Sequence, residues 1–243
     1  MLQLKRQDEL LQILRAQRYA TVEELAARLY ASPATVRRDL ALLQQAGLVE
    51  RSHGGAALKD ERSQTLPLSL RSQTHAREKE QIGRMAAERV RDGDVVMLDA
   101  SSTALCAARH LGKRQNLTLV TNSMRVVEEA ARQGHRVYMT GGLLQPNSDA
   151  FAGEAAEDCL RRFNADVLFF SSAGVRSDGM ICDYSEEETR LRRVMLACAR
   201  RRIFLCDSSK LARVFPHNLI PVSQVDEALC DKPLPPEWRM RND

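Results

Sequence analysis

The spacing of apolar residues divides the chain into two regions. Near the N-terminus, apolar positions recur at helical spacing, as in Leu10, Ile13 and Leu14. Further along, short apolar runs alternate with amphipathic stretches. The runs are D-V-V-M-L-D, L-T-L-V-T, R-V-Y-M-T, D-V-L-F-F-S and R-I-F-L-C-D, with V-D-E-A-L-C-D as a candidate last strand. This pattern predicts a small helical unit followed by a larger α/β unit.

Local signals in the first unit predict a winged helix-turn-helix over residues 1–58. Thr21 and Glu24 have the spacing of a capping box, which opens a second helix that runs through Leu29. A turn at Tyr30 and Ala31 follows.

A third helix is predicted from Pro33 to Ala46, with Ser32 as its N-cap and Gly47 as its C′ residue. Two short strands, residues 48–51 and 56–58, then join across the tripeptide H-G-G. Two close helices, a longer third helix and a hairpin complete the predicted motif.

The third helix has the pattern of a DNA-recognition helix. Its predicted inward residues are Val36, Leu40 and Leu43, and its predicted outward residues are Thr35, Arg37, Arg38 and Ala41. An arginine at this place can bridge guanine O6 and N7 in the major groove or bind a phosphate. The alternative is a solvated arginine pair on a surface helix.

The wing hairpin adds further basic residues. Arg51, His53 and Lys59 flank it and can reach phosphates, although His53 is also an ordinary turn residue. The first 59 residues contain nine Lys and Arg against six Asp and Glu, so most of the chain's formal net charge of +4 lies there. The candidate DNA-contacting residues are Ser32, Thr35, Arg37, Arg38, Arg51 and His53.

Residues 59–77 are polar, contain Pro67 and lack an apolar period, as is typical of an interdomain linker. The second domain, residues 78–243, opens with a helix from about Glu78 to Val90. Its alternating pattern predicts a mostly parallel sheet with helices on both faces. In such sheets, ligands bind outside the carboxyl ends of the strands.

The first strand end in this domain has the sequence D-A-S-S-T, residues 99–103. Hydroxyls and backbone N–H groups at a helix N-terminus attract anions, and phosphate is the expected guest. The alternative is that Ser102 or Thr103 only caps the helix.

Three further strand ends strengthen the prediction of a ligand site. T-N-S ends the second strand, Gly141 and Gly142 end the third, and D-S-S-K, which includes Lys210, ends a later one. Parallel strands bring these clusters to one edge, where Lys210 can neutralise a phosphate. Together they predict a site for a small anionic ligand.

An acidic stretch precedes the helix that bears Arg190, Arg192 and Arg193; its members are Asp183, Glu186, Glu187 and Glu188. Acids at a helix start and bases further along complement the helix dipole, so we interpret this stretch as structural. An alternative role for some of these acids is to bind sugar hydroxyls.

Several classes of protein are disfavoured by the sequence. There is no apolar run long enough to span a bilayer and no secretory h-region, which predicts a cytoplasmic protein. The cysteines lack metal-binding spacing and are predicted to be buried reduced thiols, so neither a metal nor a cofactor is expected. They are Cys106, Cys159, Cys182, Cys198, Cys206 and Cys230.

The chain resembles the DeoR family of bacterial repressors over nearly its whole length. The resemblance is carried by V-E-E-L-A-A-R-L-Y-A-S-P-A-T-V-R-R-D-L, by A-G-L-V-E-R-S-H-G-G-A, and by D-A-S-S-T, T-N, G-G and D-S-S-K with Gly153. It implies a sensor domain similar in fold to ribose-phosphate isomerases, a phosphosugar or related effector, a double-stranded operator, homo-oligomers and repression of a catabolic operon.

By this similarity, Thr35, Arg37 and Arg38 match DNA-reading positions. The candidate effector-binding residues are Asp99, Ser101, Ser102, Thr103, Thr121, Asn122, Gly141, Gly142, Gly153 and Lys210. The chain departs from the family twice: Ser101 stands where glycine is usual, and Arg192, four residues after Glu188, stands where lysine is usual. These departures leave the identity of the effector open.

Two other functions compete with a ligand-controlled repressor. A sugar-phosphate isomerase with a DNA-binding appendage needs a positioned general base, and the sequence lacks the glycine-rich lysine loop or repeated acidic signature of such enzymes. A purely architectural DNA binder leaves the four strand-end clusters unexplained. We therefore predict a regulator that is not an enzyme.

Overall fold

The computed structural model describes residues 3–17, 19–45, 48–52, 54–58, 67–145 and 148–238. The chain forms two compact units, Met1–Thr74 and His75–Asp243. The described part of the predicted linker includes a short helix, which the sequence pattern did not indicate.

The first unit is a winged helix-turn-helix. Its helices are α1 (Gln3–Gln17), α2 (Val22–Arg28), α3 (Pro33–Gln45) and α4 (Leu68–Gln73). Its strands are β1 (Tyr19–Thr21), β2 (Val49–Ser52) and β3 (Gly55–Leu58), which form an antiparallel sheet in the order β1-β3-β2. The pairing of β1 with the wing was not predicted, because three residues are too few to show a period.

The predicted helix starts are confirmed. Thr21 Oγ1 accepts from the Glu24 backbone N–H at 3.2 Å, and Glu24 Oε2 accepts from the Thr21 N–H at 2.8 Å, which is a complete capping box. Ser32 Oγ accepts from the Thr35 N–H at 3.2 Å and caps α3. The predicted C′ residue, Gly47, lies outside the described residues.

The second unit contains five α-helices among its described residues. They are α5 (Ala76–Ala87), α6 (Ser102–Arg109), α7 (Met124–Arg132), α8 (Glu154–Leu160) and α9 (Glu186–Ala197). The predicted first helix is therefore present as α5, displaced by two or three residues toward the N-terminus.

The predicted parallel sheet is confirmed. Its strands are β4 (Val95–Leu98), β5 (Thr118–Thr121), β6 (Arg136–Met139), β9 (Ala165–Phe170), β12 (Ala199–Cys206) and β14 (Glu227–Cys230). They run in parallel in the order β14-β12-β9-β4-β5-β6.

Shorter antiparallel strands accompany this sheet and were not predicted. They are β7 (Leu143–Gln145) with β8 (Ala150–Ala152), and β10 (Gly174–Val175), β11 (Met180–Asp183) and β13 (His217–Pro221) in the order β10-β11-β13. They lack the continuous apolar runs that reveal strands buried on both faces.

Alternate residues of the parallel strands enter two apolar layers. Val96 and Leu98 pack in the layer that contains residues of α5, α6 and α7, whereas Met97 packs with residues of α8 and α9. Burial on both faces explains why the inner strands read as unbroken apolar runs, whereas the edge strands β6 and β14 are more exposed. The carboxyl ends of the strands are left to carry the polar residues.

The structure also bears on membrane spans, metal sites and the state of the cysteines. In the described ranges no helix is long and apolar enough to cross a membrane, and no group of three or more His, Cys, Asp or Glu is placed to hold a metal ion. The six thiols are free. Burial was predicted correctly for Cys106, Cys182 and Cys206 and wrongly for the others, because Cys159, Cys198 and Cys230 are partly exposed.

Candidate functional site

Helix α3 has the two faces that the sequence predicts. Val36, Leu40 and Leu43 are buried in the core of the first unit. Thr35 and Ala41 are partly exposed, and Arg37 and Arg38 are exposed. The arginines therefore lie on the surface that a recognition helix presents to the major groove.

The arginines of this surface are weakly held by the protein itself. Arg37 Nη2 lies 3.5 Å from Glu23 Oε1, with the two side chains 55% and 66% exposed. An exposed pair of this kind contributes roughly 0–1 kcal/mol, so a phosphate or a guanine edge can displace Glu23 at little cost.

A buried carboxylate fixes the position of α3. Asp39 is fully buried on the inward side of the helix, where it pairs with Arg6 of α1. Arg6 Nη2 lies 3.3 Å and Gln7 Nε2 lies 3.4 Å from Asp39 Oδ1. These contacts join α1 to α3. They therefore hold α3, and with it the exposed arginines on its outer face, in a fixed orientation within the first unit.

The remaining candidate DNA contacts have different surroundings. Ser32 is exposed, and its Oγ lies 2.8 Å from Thr35 Oγ1 while it also caps α3. Arg51 is exposed on β2. His53 lies outside the described residues.

In the second unit, Asp99 is the centre of the predicted ligand edge. It follows β4 and is almost fully buried. Asp99 Oδ1 accepts from the Ser101 N–H at 3.0 Å, and Oδ2 accepts from the Ser171 N–H at 3.1 Å. Its carboxylate therefore ties the end of β4 to the end of β9.

Arg192 completes a buried ionic cluster around Asp99. Its Nε donates to Asp99 Oδ2 at 2.8 Å, Nη1 to Asp183 Oδ2 at 2.8 Å and Nη2 to Glu188 Oε2 at 3.0 Å. The Arg192 side chain is only 5% exposed. Burial by itself lowers the pKa of Arg192, but the carboxylates of Asp183, Asp99 and Glu188 outweigh it and raise that pKa, so the guanidinium stays charged.

This cluster adds detail to the structural interpretation of the acidic stretch. Glu186 and Glu187 are exposed in the first turn of α9, as expected for helix-dipole partners. Asp183 and Glu188, however, are buried and face Arg192 beside Asp99. Ion pairs of this kind are also structural contacts, and Glu188 lies in the first turn of α9 as well. Spacing alone did not show which acids of the charged run turn inward.

The start of α6 offers donors to an anion. Ser101 is the N-cap, and its Oγ accepts from the Ala104 N–H at 3.1 Å. The N–H groups of Ser102 and Thr103 belong to the first turn, where a helix supplies no acceptor. Thr103 Oγ1 is buried without a hydrogen-bond partner in the described structure.

The next strand end supplies an unused acceptor. Asn122 follows β5 and donates from Nδ2 to the Phe151 carbonyl at 2.9 Å, which leaves the buried Asn122 Oδ1 without a partner among the described residues. The hydroxyl of Thr121 already accepts from the Ser123 N–H at 3.1 Å. Asn122 is therefore the better placed of the two to contact a ligand.

The predicted glycines shape the backbone beside Asn122. Gly141, Gly142 and Gly153 all have positive φ, which favours glycine. A Cβ on Gly142 would lie 2.6 Å from the Ala152 carbonyl oxygen, so a side chain there would push β8 away.

Lys210 lies on the opposite side of Asp99, in a short 3₁₀ turn after β12. Its Nζ donates to Ser171 Oγ at 2.7 Å and lies 3.8 Å from Asp207 Oδ2. Burial raises the pKa of Asp207, but Lys210 and a hydrogen bond from Ser209 lower it further, so the net shift is downward. Lys210 thus joins the cluster through Ser171.

A small pocket opens between these groups. Its lining residues are Asp99, Ala100, Asn122, Glu188, Leu191, Arg192 and Met195. Of the candidate effector residues, only Asp99 and Asn122 line it directly. Ser101 and Lys210 connect to it through hydrogen bonds, and the other candidates do not line it.

The sequence analysis did not name Ser171. It gave the acids of the run with Asp183 and Glu188 a ligand role only as an alternative, and it named Arg192 only as a base of the following helix and as a departure from the family. Ser171 directly follows the apolar run of β9, so the strand-end rule could have found it. The others come from β11 and α9, and only tertiary packing shows that they reach the same edge.

Comparisons with known proteins agree with this two-part architecture. Residues 6–62 match the DeoR-like helix-turn-helix domain, and residues 74–232 match the DeoR C-terminal sensor domain. The chain belongs to the DeoR family. This DeoR-family protein is therefore a DNA-binding transcriptional regulator with a sensor domain.

Relatives that match over most of their length are named as repressors. The chain is 35% identical to the transcriptional repressor AccR of Agrobacterium fabrum, over 86% of this chain and 81% of that protein. It is 32% identical to the glycerol-3-phosphate regulon repressor of Escherichia coli K12, over 97% and 93%. Among solved structures it is similar to ribose 5-phosphate isomerase A from Methanocaldococcus jannaschii, with 19% identity and a TM-score of 0.42 over 55% of this chain and 53% of that one.

Proposed function

We propose that this DeoR-family protein is a repressor of a carbohydrate catabolic operon, released from its operator by a phosphorylated sugar or a related metabolite. The observation that carries the proposal is the polar edge of the parallel sheet. There, buried Thr103 Oγ1 and Asn122 Oδ1 have no partner in the described structure, and Asn122 lines a pocket together with Asp99 and Arg192. Buried polar atoms without partners are rare unless a ligand or water satisfies them.

The two sides of this edge suit the two ends of such an effector. The first turn of α6 and Lys210 supply N–H donors and positive charge for a phosphate. Asn122 Oδ1 and the remaining lone pairs of Asp99 and Glu188 can accept hydrogen bonds from sugar hydroxyls. We extend the proposed site to the other candidate residues as backbone or hydroxyl contacts: Ser101, Ser102, Thr103, Thr121, Gly141, Gly142 and Gly153.

For DNA, we propose that Arg37 and Arg38 read or anchor the major groove, with Thr35 and Ser32 at the start of α3. Arg51 and His53 of the wing would contact phosphates. The protein would act in the cytoplasm as a homo-oligomer on a double-stranded operator with repeated half-sites. Effector binding would change the subunit arrangement, so that two recognition helices no longer match the half-site spacing.

A thermal-shift screen tests the ligand class. Because one relative is named for a glycerol-3-phosphate regulon, the panel includes glycerol 3-phosphate, ribose 5-phosphate and hexose phosphates, each beside its unphosphorylated counterpart. A ligand at 100 times its Kd adds about 2.7 kcal/mol to the stability of the protein. Stabilisation by a phosphorylated compound alone supports the proposal, whereas no response to any member contradicts the ligand class.

The Lys210→Ala variant tests the site itself. We expect it to bind operator DNA as the wild type does and to need at least tenfold more phosphorylated ligand for release, measured by fluorescence anisotropy. Lys113→Ala removes an exposed lysine of another 3₁₀ turn and serves as the matched control. An unchanged ligand response in Lys210→Ala would remove Lys210 from the site.

We further propose that the sensor domain binds its ligand without converting it. The hypothesis predicts that sugar phosphates incubated with the protein keep their aldose or ketose form, as followed by proton NMR. Interconversion that is lost in Arg192→Lys or Lys210→Ala would instead establish an enzyme.

A further inference from the structure

Two cysteines face each other at the strand edge that carries Lys210. Cys206 is the last residue of β12 and Cys230 is the last residue of β14, and the two are Cα partners in the parallel ladder. Residues paired in this way point to the same face of a sheet. The preceding partners, Leu205 and Leu229, both pack in the opposite layer, which confirms the shared direction of the thiols.

We propose that Cys206 and Cys230 are an oxidative modification site, where a hydroperoxide converts the two thiols into a reversible intramolecular disulfide. Neighbouring strands lie about 4.8 Å apart, and disulfides accept Cα separations of about 4.4–6.8 Å. Both cysteines end their strands, so the backbone that follows them is not held in the parallel ladder. The bridge therefore requires only local adjustment.

The surroundings of the two thiols give them different roles. The Cys206 thiol lowers the pKa of Cys230, and the Lys232 backbone N–H adds to this shift. Burial and the Asp231 carboxylate, to which the Cys230 thiol donates at 3.6 Å, oppose it without reversing it. The Cys230 thiol, together with burial, raises the pKa of Cys206 well above its ordinary value. Cys230 is also partly exposed, whereas Cys206 is buried. Cys230 is thus the attacking thiol and Cys206 the resolving thiol.

The reaction is balanced by the peroxide alone. The Cys230 thiolate attacks one peroxide oxygen, the O–O bond breaks, and the products are a Cys230 sulfenic acid and an alkoxide or hydroxide that takes up the thiol proton. The Cys206 sulfur then attacks the Cys230 sulfur, the S–O bond breaks, and water leaves with the second proton. Two electrons pass from the two thiols to the peroxide, and a thiol reductant reverses the change.

The bridge would act on the turn that carries Lys210. Cys206 immediately precedes this turn, and Asp231, the neighbour of Cys230, accepts from the Ser208 N–H at 2.6 Å and from Ser208 Oγ at 2.9 Å. A disulfide would tie both ends of this contact together and restrict the turn. An effect on the response to effector rests on the proposed function, because Lys210 belongs to the proposed effector site.

The full-length protein, reduced and then treated with hydrogen peroxide, tests the modification site. We expect two of the six thiols to be lost in a thiol titration, a cross-link between the peptides of Cys206 and Cys230 in mass spectrometry, and full recovery with dithiothreitol. Cys230→Ser should abolish the cross-link, and Cys159→Ser, which removes another partly exposed thiol, should retain it.

Other results would overturn the proposal. These are six surviving thiols in the wild type, a sulfinic acid at Cys230 without a bridge, or a bridge that joins other cysteines or two chains. Hydrogen exchange of residues 207–211 tests the effect on the turn, where slower exchange after oxidation is expected and unchanged exchange contradicts it. Neither measurement uses an effector, so failure of the proposed function leaves both readable.

Discussion

Two groups of arginines in this DeoR-family protein have opposite surroundings: those on the outer face of α3, and Arg192 beside the pocket of the second unit. Arg37 and Arg38 lie exposed on α3, and Arg37 forms an ion pair with Glu23, which is also exposed. Arg192 lies buried on α9 with three carboxylates around it. The exposed arginines have positive charge to offer to a partner, whereas the buried arginine has most of its charge neutralised inside the protein.

This contrast predicts different consequences when an exposed arginine or the buried Arg192 is removed. We expect that removing Arg37 or Arg38 takes away a proposed contact with DNA and leaves the fold intact. Removing a buried one leaves uncompensated carboxylates in an apolar interior, which is costly even where the ion pairs themselves add little net stability. A large loss of stability on removing Arg37 or Arg38, or none on removing Arg192, would contradict this contrast.

The largest expected effect is that of Arg192→Ala. The variant leaves Asp99, Asp183 and Glu188 without their shared cation, which costs roughly 3–5 kcal/mol of unfolding free energy. Trp238 is the sole tryptophan of the chain and packs in the core of the second unit, so its fluorescence in a urea titration reports this loss. Arg200→Ala, an exposed position on β12, should change stability by less than about 0.5 kcal/mol. A loss equal to that of the control would refute the buried cluster.

The next effect belongs to Asp39→Ala in the first unit. The variant removes the acceptor for Arg6 and Gln7 and should cost roughly 1.5–3 kcal/mol, the range for hydrogen bonds to a charged group. Far-ultraviolet circular dichroism during heating follows the helices, while Trp238 fluorescence should not change. Glu50→Ala, at an exposed position of β2, is the control. A shift in the Trp238 transition would mean that Asp39 acts beyond its own unit.

Arg37→Ala and Arg38→Ala test the exposed arginines of the contrast. Each should weaken operator binding by about 1–3 kcal/mol if it contacts a base, or reduce the salt slope of binding by about 1 if it contacts a phosphate. Stability should change by less than about 0.5 kcal/mol. Anisotropy titrations at several salt concentrations measure both quantities, with Arg91→Ala of the second unit as the control. Unchanged DNA affinity for both variants would refute the recognition-helix assignment.

The smallest effect concerns pH and the capping box of α2. A hydrogen bond from the Thr21 backbone N–H, with a further one from the Thr21 side chain, lowers the pKa of Glu24 below its ordinary value of 4.5. A depressed carboxyl pKa stabilises the fold above the unfolded pKa, and the contribution disappears as the pH falls through the folded pKa. Stability of the wild type should therefore fall more steeply below pH 4.5 than that of Glu24→Gln, which keeps a hydrogen-bond acceptor but does not titrate. Parallel curves in chemical denaturation across this range would contradict the assignment.

Much of the fold followed from local chemistry. The Thr21–Glu24 capping box and the buried face of α3 need only neighbouring residues. Five of the six parallel strands follow from apolar runs, and β14 was indicated only as a candidate last strand. The small antiparallel strands did not, since two to five residues carry little periodic signal. The strand-end rule also placed Asp99 and Asn122 correctly beside the pocket.

The rest of the site depended on tertiary contacts. Glycine residues 141, 142 and 153 were predicted to lie at the strand edge that holds the pocket. Their positions in the sequence did not show that they would stay outside the pocket lining. Arg192 could be read as an ordinary helix-dipole partner until α9 was seen to direct it at Asp99. A run of charged residues in the sequence shows which side chains could form ion pairs. It does not show which of them point into the interior.

Periodicity and capping act over a few residues, so the amino-acid sequence was enough to predict the two units, helix α3 with its outward arginines, and the strands whose ends supply the polar edge. Tertiary packing was needed to show which charges are paired and buried, and which thiols lie side by side. Arg192 reaches Asp99 across 93 positions of the chain, and Cys206 pairs with Cys230 through the register of two strands. Such contacts depend on packing between distant segments, which no local pattern specifies.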